Sequence, residues 1–78
     1  MGDLSDTIRA SVEKAIAGAR CQVTPGNPGH YTLVVTSQAF AGLNRVAQQR
    51  LVYGAIAHLM KGADAPLHAV DSLTTRIE

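Results

Sequence analysis

Apolar residues recur at helical spacing through the first part of the chain, at Leu4, Ile8, Val12, Ala15, Ile16 and Ala19, while Asp6, Arg9, Glu13 and Lys14 fall on the other faces. This period predicts an amphipathic helix over residues 5–17, with Asp3 or Ser5 accepting from the free N–H groups of its first turn and Gly18 stopping it. The pattern then changes. RCQVT, residues 20–24, and HYTLVVTS, residues 30–37, are rich in β-branched side chains and predict two strands. Between them Pro25, Gly26, Asn27, Pro28 and Gly29 spell a hairpin loop. A short extra helical turn is expected around residues 38–41. Asn44 then caps a long helix running from Arg45 to about Met60, whose apolar arc is Val46, Val52, Tyr53, Ile56, Ala57, Leu59 and Met60. Pro66 bars helix continuation, and LHAVDSL, residues 67–73, predicts a last strand with TTRIE as a short tail.

The predicted order is helix, strand, strand, helix, strand. Two strands joined as a hairpin and a third reached through a helix imply one small α/β (α+β) sheet of three strands, with the helices on one face. No internal repeat, low-complexity tract or linker interrupts residues 1–78, which are read as a single domain.

Length limits what such a domain can do. A chain of 78 residues hides only about 60% of the surface that its unfolded form exposes, so a deep enclosed active site is not expected. Charge narrows the partners. Seven Lys and Arg stand against six Asp and Glu, and the basic residues form no run; this is a weak footprint for nucleic acid, whose non-specific affinity comes from phosphate neutralisation. Tyr31, Phe40 and Tyr53 are the only aromatics, so base-stacking platforms are scarce too. The single cysteine, Cys21, has no partner for an internal disulfide. The opening MGDLSDTIRASVEK lacks the apolar core of a secretion signal, and no apolar run approaches membrane-spanning length. A reducing, cytoplasmic setting without a membrane is the expectation.

Candidate chemistry is sparse. Ser5, Ser11, Ser37 and Ser72 lack a nucleophile-elbow context, and the carboxylates are scattered. An enzyme is therefore not expected. The text GNPG at residues 26–29 matches the Gly-x-x-Gly spelling of a loop that clamps nucleic-acid backbone in KH domains, but there the loop joins two helices. Here it joins two predicted strands and is read as a turn. The loop entering the long helix is instead Gly42-Leu-Asn-Arg45, where Arg replaces the second glycine. Metal ligation remains, through His30, His58 and His68. His58 lies off the Val46 and Tyr53 arc and is read as solvated. His30 and His68 both stand at strand beginnings, so their imidazoles can reach one rim of the sheet. Two nitrogen ligands are too few for a closed zinc site but suffice for half of a shared one.

The text FAGLNRVAQQRLVYGAI followed by LHAV resembles the BolA family signature, and GHYTLVVTSQAF is similar to the family's Ser-His-Phe strand. The pair Gln48-Gln49 and the run Val52-Tyr53-Gly54 resemble the IbaG branch. The similarity covers about Val23 to Val70. It implies a KH-like fold of the class II type and a partner, a monothiol glutaredoxin with a Cys-Gly-Phe-Ser site. It also implies a 2Fe-2S cluster shared with the glutaredoxin cysteine and a glutathione thiol, serving cluster trafficking or iron and redox sensing. His68 corresponds to the family's histidine ligand, His30 to its loop ligand, and Cys21 is a weaker candidate. Without that partner a homodimer is an alternative. For some members the resemblance implies a DNA-binding transcriptional regulator of stress response, and Arg45, Gln48, Gln49 and Arg50 at the start of the long helix are the side chains placed to contact DNA or a protein partner.

Overall fold

The computed structural model describes residues 4–62 and 65–77. Helix α1 spans Ser5–Ala15, strand β1 Arg20–Pro25, strand β2 His30–Thr36, helix α2 Arg45–Ile56 and strand β3 Ala69–Arg76. Short 3-10 turns at Gln38–Phe40 and Ala57–Leu59 precede and follow α2. The sheet order is β1-β2-β3. β1 and β2 pair antiparallel, from Arg20 opposite Thr36 to Pro25 opposite Tyr31. β2 and β3 pair parallel, which requires a crossover connection, and α2 supplies it. The fold is thus the expected α+β arrangement, a three-stranded mixed sheet with two helices.

β2 is central and reads as strict alternation. Tyr31, Leu33 and Val35 are buried while His30, Thr32, Val34 and Thr36 are half-buried, as a strand with one face on a core and one face open requires. Onto the buried face α1 lays Ile8 and Val12, Ile16 follows just past its end, and α2 lays Val52, Ala55 and Ile56, with Phe40 and Leu67 closing the core. Burying a side chain such as Leu33 or Phe40 contributes on the order of 1.5–3 kcal/mol. These few residues therefore carry most of the stability of a small domain.

Several boundaries differ from the sequence expectation, each for a local reason. α1 stops at Ala15, before the predicted Ala17, and Gly18 at φ 67° reverses the chain toward β1. Its N-cap is Leu4, which makes no side-chain cap bond; the Leu4 N–H instead donates to Tyr31 Oη at 3.0 Å. Ser5 is thus the first helical residue, and Asp3 lies outside the described residues. β3 begins at Ala69 and runs through Thr74, Thr75 and Arg76, because parallel pairing with β2 continues to Thr36 and the Ser37 N–H donates to the Arg76 carbonyl at 3.0 Å. α2 tightens into 3-10 geometry after Ile56 instead of continuing to Met60.

The predicted apolar arc of α2 is also only half right. Val52, Ile56 and Leu59 are buried, but Val46 is 56% and Tyr53 40% exposed. The helix buries a narrow stripe centred on Val52, Ala55 and Ile56, and its remaining apolar residues face outward.

Candidate functional site

The loop between β1 and β2 is a four-residue turn, Gly26 to Gly29, held at both ends by backbone bonds. Gly26 N–H donates to the His30 carbonyl at 2.9 Å, and His30 N–H donates to the Asn27 carbonyl at 2.8 Å. Pro25 belongs to β1, opposite Tyr31. The reading of GNPG as a hairpin turn agrees with this geometry: it joins two strands, with no helix entry beside it.

The same turn meets the start of β3. Gly29 places its carbonyl so that the N–H groups of both His68 (2.8 Å) and Ala69 (3.1 Å) donate to it. Gly29 has φ 80°, a backbone conformation costly for any side chain with a Cβ. A Cβ there would also stand 2.6 Å from both Cγ and Nδ1 of His68. The imidazole of His68 therefore lies where a side chain at position 29 would be. Two independent requirements, the turn and the ring, select glycine at this position.

His30 follows immediately and pairs with Ala69. Its Nδ1 is 2.9 Å from Oδ1 of Asp71 on β3, with the two side chains 38% and 50% exposed. The sheet register shifts between Tyr31 and Thr32, where Val70 opposes Tyr31 and Ser72 opposes Thr32. Asp71 is the extra residue of this bulge, and bulges commonly re-aim a side chain beside functional sites. So the sheet rim gathers His30, His68 and Asp71 around the Gly26–Gly29 turn. Among the described residues, no group of three or more His, Cys, Asp and Glu side chains is arranged to hold a metal ion unaided.

Cys21 is elsewhere. It pairs with Val35, five residues along β2 from His30, which at 3.3 Å per residue is about 16 Å away. Its side chain is 5% exposed and belongs to the core. Burial, and then the nearby Glu13 carboxylate, push its thiol up from 9.0 to about 11. Position and protonation both correct the expectation of Cys21 as a ligand beside the histidines, since the thiolate is the metal-binding form.

The side chains at the start of α2 also divide. Asn44 caps the helix, its Oδ1 accepting from Ala47 N–H at 2.8 Å. Gln48 donates to the Leu43 carbonyl at 2.8 Å and accepts from Thr75 Oγ1 at 2.6 Å. The Gln48 amide thus braces α2 against β3 while the side chain stays half-buried. Gln49 is half-buried, whereas Arg45 and Arg50 are exposed. Neither arginine has an ion pair among the described residues. His58 is exposed, as expected, with Nε2 3.5 Å from Ser11 Oγ. It borders a depression of about 440 Å³ between the helices, shared with Lys14. Lys14 lies in the last turn of α1, where its charge offsets the helix dipole.

This architecture is that of known proteins. The family profile described as BolA-like protein matches residues 7–77. The chain belongs to the BolA family. Among solved structures, BolA1 from Arabidopsis thaliana superposes with a TM-score of 0.76 at 20% identity, over 99% of this chain and 94% of that one. A BolA protein homologue from Coxiella burnetii gives 0.76 at 27% identity, over 94% and 88%. A BolA-like hypothetical protein from Rickettsia prowazekii gives 0.70 at 22% identity, over 100% and 99%. No curated protein matches the sequence. The histidine of the LHAV segment is the one seated on Gly29, and the histidine that opens β2 is the one facing Asp71. Sequence reasoning singled out both histidines but not the residues each ring rests against or faces. Asp71 had a faint signal as the only carboxylate predicted in the last strand, but strict alternation from His68 puts it on the opposite face, and the bulge is not written in any residue type.

Proposed function

We propose that this BolA-family chain is a non-catalytic partner of a monothiol glutaredoxin, contributing His68 and His30 to a 2Fe-2S cluster whose thiolate ligands come from the glutaredoxin and from glutathione. The observation that carries this reading is the meeting of two strand beginnings at Gly29, whose carbonyl accepts from His68 and Ala69 while His30 follows in the chain. It brings two imidazoles to one rim of the sheet, with His68 exposed and His30 half-buried.

The residues fit such a group as half of a coordination sphere. His68 has its ring located by Gly29, and His30 has one nitrogen engaged by Asp71, so both side chains lose little rotamer freedom on binding. A cluster supplies one-electron chemistry and an exchangeable iron-sulfur unit when bound. Neutral imidazole in place of thiolate lowers the negative charge and raises the reduction potential. The chain's part is to present unprotonated ring nitrogens, and acid therefore opposes ligation. The turn of Gly26, Asn27, Pro28 and Gly29 carries no bulky side chain, leaving room for a partner's backbone and a tripeptide thiol beside the histidines.

The test is visible and near-ultraviolet circular dichroism of the chain mixed with cluster-loaded glutaredoxin. The wild-type mixture is expected to develop a spectrum distinct from that of glutaredoxin alone, and His68→Ala to abolish the difference. Identical spectra for wild type and His68→Ala remove His68 from the ligand set.

A second reading, a DNA-binding regulator, is favoured by one observation: Arg45 and Arg50 are exposed at the start of α2 without ion-pair partners among the described residues. With Gln48 committed internally, the two arginines are left mainly for phosphate. Two phosphate contacts give a slope of about −2 in log affinity against log salt. Binding to a labelled duplex that is absent at low salt, or flat with salt, eliminates this reading.

A further inference from the structure

We propose that Asp71 is a positioning residue that fixes the tautomer of His30 and so makes Nε2 the nitrogen that His30 presents to a metal. This rests on the ligand role given to His30 above.

An ionised carboxylate only accepts hydrogen bonds. At 2.9 Å from Oδ1 of Asp71, Nδ1 of His30 is within hydrogen-bond distance, so in the neutral ring it is Nδ1 that carries the proton. Nε2 is left with its lone pair. Metal-bound histidines commonly donate their other ring N–H to a carboxylate in this way, which sets ring orientation and raises ligand basicity. Here the arrangement is present in the chain by itself.

The backbone makes this contact specific. In a regular ladder Asp71 would oppose Thr32, but the bulge gives that place to Ser72 and leaves Asp71 unpaired between Val70 and Ser72. The displaced carboxylate reaches toward the β1–β2 turn as well as the ring: a Cβ built on Gly26 would lie 3.7 Å from Oδ2 of Asp71. Asp71 thus lies beside Gly26, the first residue of the turn, while its Oδ1 faces the ring of His30. A plain surface ion pair is the competing explanation, and it makes a different prediction. Such a pair holds a charged ring and has no bearing on which nitrogen of the neutral ring is free.

The experiment compares wild type, Asp71→Ala and Asp71→Asn. In the metal-free chain at a pH where His30 is neutral, long-range proton-nitrogen correlation spectra report the tautomer. Wild type is expected to show His30 protonated on Nδ1, and Asp71→Ala to shift it toward the Nε2–H form that an unconstrained histidine side chain prefers. Asp71→Asn keeps a carbonyl acceptor and is expected to restore much of the wild-type pattern. The His68 signals serve as an internal control and should not move, and the far-ultraviolet spectrum reports folding of each variant. With glutaredoxin, Asp71→Ala is expected to lose the cluster about 10-fold faster than wild type, the lower end for removal of such an outer partner, with Asp71→Asn in between.

An unchanged His30 tautomer in Asp71→Ala overturns the positioning role alone. A shifted tautomer with an unchanged cluster lifetime overturns the claim that Nε2 ligates. A wild-type chain that takes up no cluster overturns the glutaredoxin reading and the ligation claim together, and the tautomer measurement tells these failures apart.

Discussion

The two ends of the same small sheet treat polar groups in opposite ways. At the end near Thr36, Arg20 and Arg76 are exposed, but Ser37, Cys21 and Gln48 are engaged or enclosed within the chain. Ser37 is fully buried, donating from Oγ to the Ala17 carbonyl at 2.8 Å and accepting from Ala39 N–H at 3.0 Å. Cys21 is buried with its thiol held protonated, and Gln48 ties α2 to Thr75. At the end near His30, the ring of His68 is exposed and that of His30 is tethered at one nitrogen only. The lesson is that histidine or cysteine in a small fold says little until its end of the sheet is known. A group whose hydrogen-bonding capacity is satisfied inside the chain stabilises it, whereas one positioned but incompletely engaged is available for ligation.

The largest expected effect that separates the two ends is in alkaline stability. Because burial raises the Cys21 thiol to about 11 from 9.0, the folded chain keeps a proton that the unfolded chain releases. Stability is therefore full below pH 9 and declines as pH rises toward 11, by about 2–3 kcal/mol on the order-of-magnitude scale of linkage. Urea unfolding across this range should show a shallower decline for Cys21→Ala than for wild type. Parallel curves would place the thiol in water and dissolve the contrast.

A smaller effect is expected from Gly29→Ala, at the open end. The positive φ costs an L-residue about 1–2 kcal/mol, and the new Cβ displaces the His68 ring. Unfolding midpoints measure the first part, and the His68 ring resonances measure the second. Resonances that stay in place would show that the ring does not rest on Gly29.

The smallest change in stability belongs to the residue with the greatest proposed role. His68 is exposed, so His68→Ala should unfold within about 0.5 kcal/mol of wild type, even as it erases the circular-dichroism difference with glutaredoxin. A loss well beyond that would make the ring a structural strut.

Much of this contrast was legible in the sequence, but unevenly. The order of elements followed from periodicity, because the 3.6 and 2 repeats of α1 and β2 each have one face against one core. The histidines could be singled out because each stands at a predicted passage from loop to strand. Their supports could not. The Asp71 contact depends on a one-residue register shift, and the fit of His68 on Gly29 depends on parallel pairing of segments separated by the whole of α2. The misjudged arc of α2 has a related cause. Val46 and Tyr53 have core-like side chains, yet α1 and the sheet together present room for only a narrow stripe, so tertiary packing overrode local character.

Because the His68 and Ala69 amides both close onto Gly29, the paired donors come into being only when the final strand docks alongside the central one. That contact joins segments separated by the whole of α2, and synthesis proceeds from the other end. A nascent or truncated chain lacking that strand would display the hairpin with His30 but without His68 beside it, so the two rings stand together only in a chain that has finished folding.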